Sequence, residues 1–254
     1  VGEGALTANT TGASNTAVGE GALTSNTTAA NNTAVGNAAL NANTTGAENV
    51  AIGRNALVSN TDASNNTAVG DSALLANTTG EQNVAIGTNS LDANTTGGQN
   101  VAVGYVALGA NTTASYNTAI GREALKTSTT GAYNTAVGRT AGMLITTGSH
   151  NVAVGANALD AGTTAEESVA IGFGALGAVT TGAENVAVGA SALTTVTTSG
   201  NNTAVGRMAL KLNTAANNTA VGHQTLLNNS TGTANTAVGK NALDSNTTAD
   251  NNTA

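Results

Sequence analysis

A short apolar phrase recurs along the whole chain, and its alternation of side chains predicts a series of short β-strands. The phrase reads Thr or Val, then Ala, then Val or Ile, and a Gly follows it, as in Val50-Ala51-Ile52-Gly53. β-Branched residues at every second position, ended by Gly, are typical of a strand. One face of each predicted strand carries the β-branched residues, whereas the other carries only Ala. An Ala-Leu pair follows three and four residues after most of the glycines, as in Ala22-Leu23.

The phrase returns every 17 residues, so the chain is an array of internal repeats. One interval is 16 residues, from Gly206 to Gly222, because the loop at 213–215 lacks one residue. Residues 1–254 form a single repeat array of fifteen units, and we expect this array to be a fragment of a longer fibrous chain. The glycines that mark the units are Gly2, Gly19, Gly36, Gly53, Gly70, Gly87, Gly104, Gly121, Gly138, Gly155, Gly172, Gly189, Gly206, Gly222 and Gly239.

Units of this length with one strand each predict an all-β fold, a β-solenoid in which each unit forms one rung. A 17-residue unit is too short for a helical repeat or a propeller blade. We expect Val, Ile and Leu to line a thin interior, with rungs about 4.8 Å apart. Asn occurs thirteen residues after most of the glycines, and its side-chain amides are expected to bond one another from rung to rung. The members of this ladder are Asn15, Asn32, Asn49, Asn66, Asn83, Asn100, Asn117, Asn134 and Asn151.

The Ala column of the predicted strands bears on assembly. A face in contact with solvent would tolerate Lys, Glu or Thr, but this face is Ala in every unit, so something packs closely against it. Either the Ala face points into a narrow interior, or it meets another chain. The second alternative is favoured and suggests a symmetric bundle, most simply a trimer. The inter-chain face would then contain Ala17, Ala34, Ala51, Ala68, Ala85, Ala102, Ala119 and Ala136.

The amino-acid composition argues against several classes of function. Charged residues make up 8% of the chain and the net charge is −7, which disfavours a nucleic-acid partner because such proteins need a clustered basic surface. No apolar run is long enough for a transmembrane helix, so no membrane contact is expected within this segment. There is no Cys, and His150 and His223 lie in different columns, so they cannot share a metal or a catalytic triad. We therefore expect no enzyme activity, no metal and no cofactor.

Three phrases resemble functional motifs but are interpreted as repeat units. The run Gly172–Gly177 matches G-x-G-x-x-G, yet a dinucleotide site needs a long helix after it. The run Gly70–Leu74 is similar to a hydrolase nucleophile motif, but it aligns with Gly19–Leu23 of the array. Asn-x-Thr sequences such as Asn26-Thr27-Thr28 could accept glycans. Duplication of a good turn sequence is the favoured explanation.

One rung departs from the pattern. Gly142 stands where the other units have Leu, and Met143, Leu144 and Ile145 follow where polar residues and Asn are usual. We expect one of these three side chains to refill the interior, with a local bulge in the backbone.

The phrases Asn49-Val50-Ala51-Ile52-Gly53 and Asn151-Val152-Ala153-Val154-Gly155 resemble the head repeats of YadA-type trimeric autotransporter adhesins, and equally the repeats of phage and virus tail fibres. The resemblance covers every unit, although the family's head units are usually shorter. It implies a left-handed β-roll in each chain and a parallel homotrimer. It also implies an extracellular location, at a cell surface or a virion surface.

Recognition of a partner is expected in the columns whose residue type varies from unit to unit, because substitutions there leave the fold of a repeat array unchanged. Such columns could bind a glycan or protein of a host or cell surface through aromatic rings and guanidinium groups. The expected function is a structural and adhesive fibre segment, either a surface adhesin head or a tail-fibre shaft; the alternative is a passive extracellular filament or sheath. An ice-binding solenoid is disfavoured because Thr27 and Thr28, as neighbours in a strand, would point to opposite faces. The candidate surface-binding residues are Tyr116, Tyr133, His150, Arg122 and Arg139.

Overall fold

The structure is a computed structural model that describes all residues from Val1 to Ala254. It contains fourteen strands of three residues each and no helix, which confirms the all-β solenoid. The chain divides into two compact units, Val1–Thr130 and Gly131–Ala254. The first unit holds β1 (Thr16–Val18), β2 (Thr33–Val35), β3 (Val50–Ile52), β4 (Thr67–Val69), β5 (Val84–Ile86), β6 (Val101–Val103) and β7 (Thr118–Ile120). The second holds β8 (Thr135–Val137), β9 (Val152–Val154), β10 (Val169–Ile171), β11 (Val186–Val188), β12 (Thr203–Val205), β13 (Thr219–Val221) and β14 (Thr236–Val238).

Within each unit, consecutive strands pair in parallel and in register. In the first unit Ala34 of β2 lies beside Ala51 of β3, and Ala51 lies beside Ala68 of β4. The turns stack in the same way, because the Leu57 amide donates to the Ala73 carbonyl at 3.0 Å. Each rung therefore lies on a rung with the same conformation. No helix is present that could cross a membrane.

The glycine that ends each strand is required by geometry. At Gly53 the φ angle is +137°, and a Cβ atom there would lie 2.3 Å from the Gly70 carbonyl oxygen of the next rung. Two residues later the chain turns through a left-handed residue, Asn55 (φ 58°), and again at Leu57 (φ 51°). A left-handed conformation costs an L-residue roughly 1–2 kcal/mol. Asn favours this region and Leu does not, so the residue type signals the left-handed conformation at Asn55 but not at Leu57.

The inner face of each strand is the Ala face, which corrects the expected assembly. Ala51 is fully buried within the single chain, whereas Ile52 on the other face is 40% exposed. The expectation that Ala meets another chain, with Val and Ile inside, is therefore wrong. A small rung that also encloses Leu and two Asn side chains leaves space for only a methyl group on the strand. The correction applies to the buried residues Ala17, Ala34, Ala51, Ala68, Ala85, Ala102, Ala119 and Ala136.

The irregular rung refills its interior as expected. Ile145 is fully buried, whereas Leu144 is 40% exposed and Met143 is half-buried. The expected bulge is absent. The Gly142 amide donates to the Ala158 carbonyl at 2.9 Å, as the Leu159 amide of the next rung does to Ala175 at the same distance.

The 16-residue rung keeps the register of its strands. Val205 of β12 lies beside Val221 of β13, and Ala204 lies beside Ala220. The missing residue is absorbed by the loop, where the Asn213 side chain donates to the carbonyl of Ala215, at 2.7 Å. In other rungs the equivalent Asn reaches the carbonyl three residues ahead, as Asn60 does to Ala63.

Candidate interaction surfaces

The outer face of the strands is an uncharged apolar surface. We call it the strand face, defined as the first and third residue of every strand. It contains only Thr, Val and Ile. Parallel pairing in register aligns these side chains in two columns within each unit, as with Thr33 beside Val50 and Val35 beside Ile52. β-Branched side chains have few rotamers, so each unit presents a stiff and regular surface.

Two charged borders flank the strand face. The basic border is the column of residues that directly follow the strand-ending glycines. Five of the seven Lys and Arg residues of the chain lie there: Arg54, Arg122, Arg139, Arg207 and Lys240. The same column carries three acidic residues, Glu3, Glu20 and Asp71.

The acidic border lies on the other side of the strand face. It consists of the two residues that precede the Asn, or Ser168, directly before each strand, and it contains no Lys or Arg. Its acidic members are Glu48, Glu81, Glu166, Glu167, Glu184 and Asp250. In the second unit, where the basic border carries no acidic residue, opposite charges thus collect on opposite sides of an uncharged face.

The residues predicted to bind a ligand are divided between the two borders. Arg122 and Arg139 lie in the basic border, whereas Tyr116, Tyr133 and His150 lie in the acidic border. Tyr133 and Arg139, for example, lie before and after β8, so the strand face separates them. The candidate residues do not form one continuous stripe.

The rings of Tyr133 and His150 stack on each other. Their centroids are 5.1 Å apart and the ring planes differ by 5°. Each ring therefore uses one of its two faces on its neighbour. The two ring faces that meet each other are therefore not available to a sugar.

The predicted Asn ladder is buried except at Asn15, which is half-buried, but its hydrogen bonds differ from those expected. The Asn32 amide group of the backbone donates to Asn15 Oδ1 at 2.9 Å, and Asn32 Nδ2 donates to the Gly46 carbonyl at 2.9 Å. Most of this column therefore bonds side chain to backbone. Amide-to-amide bonds occur at a few steps only, such as Asn151 to Asn134 at 3.1 Å.

A second Asn ladder, which is not among the features predicted from the sequence, carries the amide-to-amide bonds. These Asn residues lie seven positions after the glycines and begin the Asn-Thr-Thr phrases. Asn60 Nδ2 donates to Asn43 Oδ1 at 2.8 Å and to the Ala63 carbonyl of its own rung at 3.0 Å. The recurrence of Asn at this position was the available signal. The first unit contains the ladder Asn9, Asn26, Asn43, Asn60, Asn77, Asn94 and Asn111.

Burial of this second ladder affects the glycan hypothesis. Asn26, Asn43 and Asn60 have no solvent-accessible surface, and both hydrogens of each side-chain amide are bonded. A glycan on these residues would need the ladder to open. The Asn-Thr-Thr phrase is thus accounted for by its place in the rung.

Comparison with known proteins adds no functional information. No family model matches the chain, and neither the curated proteins nor the solved structures contain a detectable match.

Proposed function

We propose that this chain is a rigid segment of an extracellular fibre, either an adhesin head at a cell surface or the shaft of a tail fibre. The observation that carries the proposal is a division between interior and surface. The interior repeats the same Ala, Leu and Asn side chains in most rungs, while the charged and aromatic residues occupy exposed columns that change from rung to rung. A rigid spacer that displays different side chains to a partner along its length would have such a division.

Rigidity within each unit follows from the bonding of the rungs. In the first unit two buried ladders of Asn supplement the backbone bonds between neighbouring rungs, and in the second unit the ladder next to the strands continues, with Ser168 in place of one Asn. Buried polar groups that are fully bonded fix one geometry, because any shift leaves a donor or an acceptor unpaired. A fibre segment that bears mechanical load benefits from this property.

Adhesion would reside in the two borders. A single rung contributes only one or two contacts, so its affinity for a glycan or a surface protein is weak. Several parallel chains, such as the expected homotrimer, would raise the effective concentration for each further contact. Because the Ala column is interior, the contact between chains must lie elsewhere on the surface.

Binding to a glycan array and to whole cells tests the adhesive role. We expect the full chain to bind, and the double variant Tyr116→Ser/Tyr133→Ser to bind at least about tenfold more weakly through loss of avidity. Leu144→Ser/Leu212→Ser is the matched control, since both are exposed apolar side chains outside the two borders. Circular dichroism checks that each variant keeps its β-structure. Equal binding by all three proteins would remove the acidic-border tyrosines from the proposal.

A passive filament is the second candidate, and one observation favours it. Several exposed side chains bond to the same column of the next rung instead of extending into solvent. Arg54 Nε donates to Asp71 Oδ1 at 2.7 Å, and Gln99 Nε2 donates to Gln82 Oε1 at 2.9 Å. The bond from Arg54 holds the pKa of Asp71 below its ordinary value. Such contacts reinforce the stacking of the rungs and need no partner. If the chain binds no glycan and no cell, the passive filament remains as the proposed function.

A further inference from the structure

We propose that the strand face of the second unit, Gly131–Ala254, is a self-association surface that receives the same face of a parallel copy of this chain. The inference rests on the proposed function, because a fibre of several chains requires such a contact. In this proposal the contact between chains is made by the strand face, which is exposed in the single chain, and not by the buried Ala column.

The face has the character of a contact between proteins. In the second unit it includes Ile171, 39% exposed, together with Val205 and Val221, each 36% exposed. Seven strands, each about 10 Å long and about 4.8 Å apart, present on the order of 300 Å². Exposed apolar patches of this size are often functional. Because a standard interface buries about 800 Å² on each partner, the borders must take part as well.

The charges of the borders select a parallel arrangement. In this unit the basic border carries Arg139, Arg207 and Lys240, and the acidic border carries Glu166, Glu167, Glu184 and Asp250. Rotation about an axis along the direction of stacking brings the basic border of one copy beside the acidic border of the next. Antiparallel copies would instead place each border against its own kind, with repulsion on both sides.

These charges have no ion-pair partners in their own chain. The three ion pairs of the structure all lie in the first unit, between Arg54 and Asp71 and between Glu123 and both Arg122 and Lys126. In the second unit Arg207 has only a 3.4 Å contact with His223, and Arg139 one of 3.2 Å with Asn157. The opposite charges are thus available to a second copy.

The repeat spacing favours a second copy over another partner. Identical rungs have identical spacing, so the Val and Ile side chains of one copy can pack between those of the other along all seven strands. Interfaces between identical β-columns become dry and tightly interdigitated in this way. A partner with a different spacing would lose register after a few rungs.

Sedimentation equilibrium of the full chain over a range of concentrations tests the inference. We expect the wild-type chain to associate. The face variant Ile171→Lys/Val205→Lys should raise the dissociation constant at least about a hundredfold, because it buries unpaired charge. The matched control is Thr181→Lys/Thr198→Lys, which adds the same charges at exposed positions away from the strand face and should leave association unchanged.

Charge exchange tests the parallel arrangement. Arg207→Glu and Glu184→Arg should each weaken association about tenfold, and the combined variant should recover most of it, because the two residues lie one rung apart, about 4.8 Å along the stack. Raised salt should weaken the wild-type association. Failure of the combined variant to recover would overturn the parallel arrangement.

Other outcomes would overturn the contact itself. A chain that stays monomeric at all concentrations, or a face variant that associates like the wild type, rejects the strand face as a self-association surface. If the chain stays monomeric and is taken up by growing ice, the strand face binds ordered water instead of a second copy. Absence of glycan and cell binding in a wild-type chain that still associates counts against the adhesive role alone, so the two proposals fail separately.

Discussion

Each buried Asn in the interior depends on the residue at the same position in the neighbouring rung. Asn111 Oδ1 is the one buried side-chain polar atom without a hydrogen-bond partner. In the rungs before it, the Oδ1 atom accepts from the Asn of the next rung, as Asn94 Oδ1 does from Asn111 Nδ2 at 2.8 Å. The next rung after Asn111 carries Ser128, which is shorter. The ladder therefore ends on an unpaired acceptor.

Replacement of Ser128 by Asn should extend the ladder and stabilise the first unit. The new Nδ2 group would donate to Asn111 Oδ1. The new Oδ1 atom would itself lack a donor, because the next rung carries Ile145, so the gain is that of the added hydrogen bond, about 0.5–1.5 kcal/mol. We expect the free energy of unfolding to rise by about 1 kcal/mol, measured by urea denaturation. Ser128→Ala is the control and should not stabilise. A Ser128→Asn variant less stable than wild type would show that the site has no room for the longer side chain.

At the level of the rung, the unit between Gly138 and Gly155 shows how an element tolerates a lost core residue. Gly142 removes the Leu side chain, and Ile145 occupies the interior where most rungs have Asn. The exchange is possible because the two positions lie in one turn, with the Ile145 amide bonded to the Gly142 carbonyl at 3.1 Å. An apolar side chain at one position thus compensates for its absence at the other.

Truncation of Ile145 should expose this compensation. Ile145→Ala leaves a hole in a rung that has no Leu, and we expect a loss of about 2–4 kcal/mol in thermal or urea unfolding. Adding Gly142→Leu should restore most of this loss, because Leu occupies that position in the neighbouring rungs. The control Leu144→Ala removes an exposed side chain and should cost less than about 1 kcal/mol. Equal losses for Ile145→Ala and Leu144→Ala would contradict the assignment of Ile145 to the core.

For the whole molecule, each rung makes its contacts mainly with the rungs directly before and after it. In the first unit the strand contacts link only consecutive strands, from β1 with β2 through to β6 with β7. Repeat proteins of this kind have a stability that is close to a sum of rung and neighbour terms. Whole rungs are therefore exchangeable units of the fold.

Removal of one complete rung should preserve the fold. Deletion of residues 54–70 joins Gly53 to Asp71, which restores the repeat, so circular dichroism per residue should be unchanged and unfolding should remain cooperative. Deletion of residues 54–62, about half a rung, is the control. It places polar residues where Ala and Leu belong, and we expect loss of β-structure around the junction. If both deletions behaved alike, the 17-residue period would not be the unit of folding.

The sequence alone determined the repeat, the strands and the buried Asn column. Residues at the same position of successive units must meet the same environment when identical units stack, so Thr16, Thr33 and Val50 could be assigned to one column without a structure. The strands β1–β14 lie where the alternation of β-branched residues predicts them. The refilling of the irregular rung could also be predicted, because a core position without a side chain demands a substitute nearby.

Only the tertiary structure decided which strand face points inward. Alternation shows that two faces differ, but it cannot show on which side the rest of the rung closes. That closure depends on left-handed residues such as Leu57, whose conformation its residue type does not indicate. Once the rung closes on the Ala side, Leu and two Asn side chains fill the interior beside Ala51, and Val and Ile must remain outside. The physical reason is volume, because a 17-residue rung encloses too little space for β-branched side chains as well.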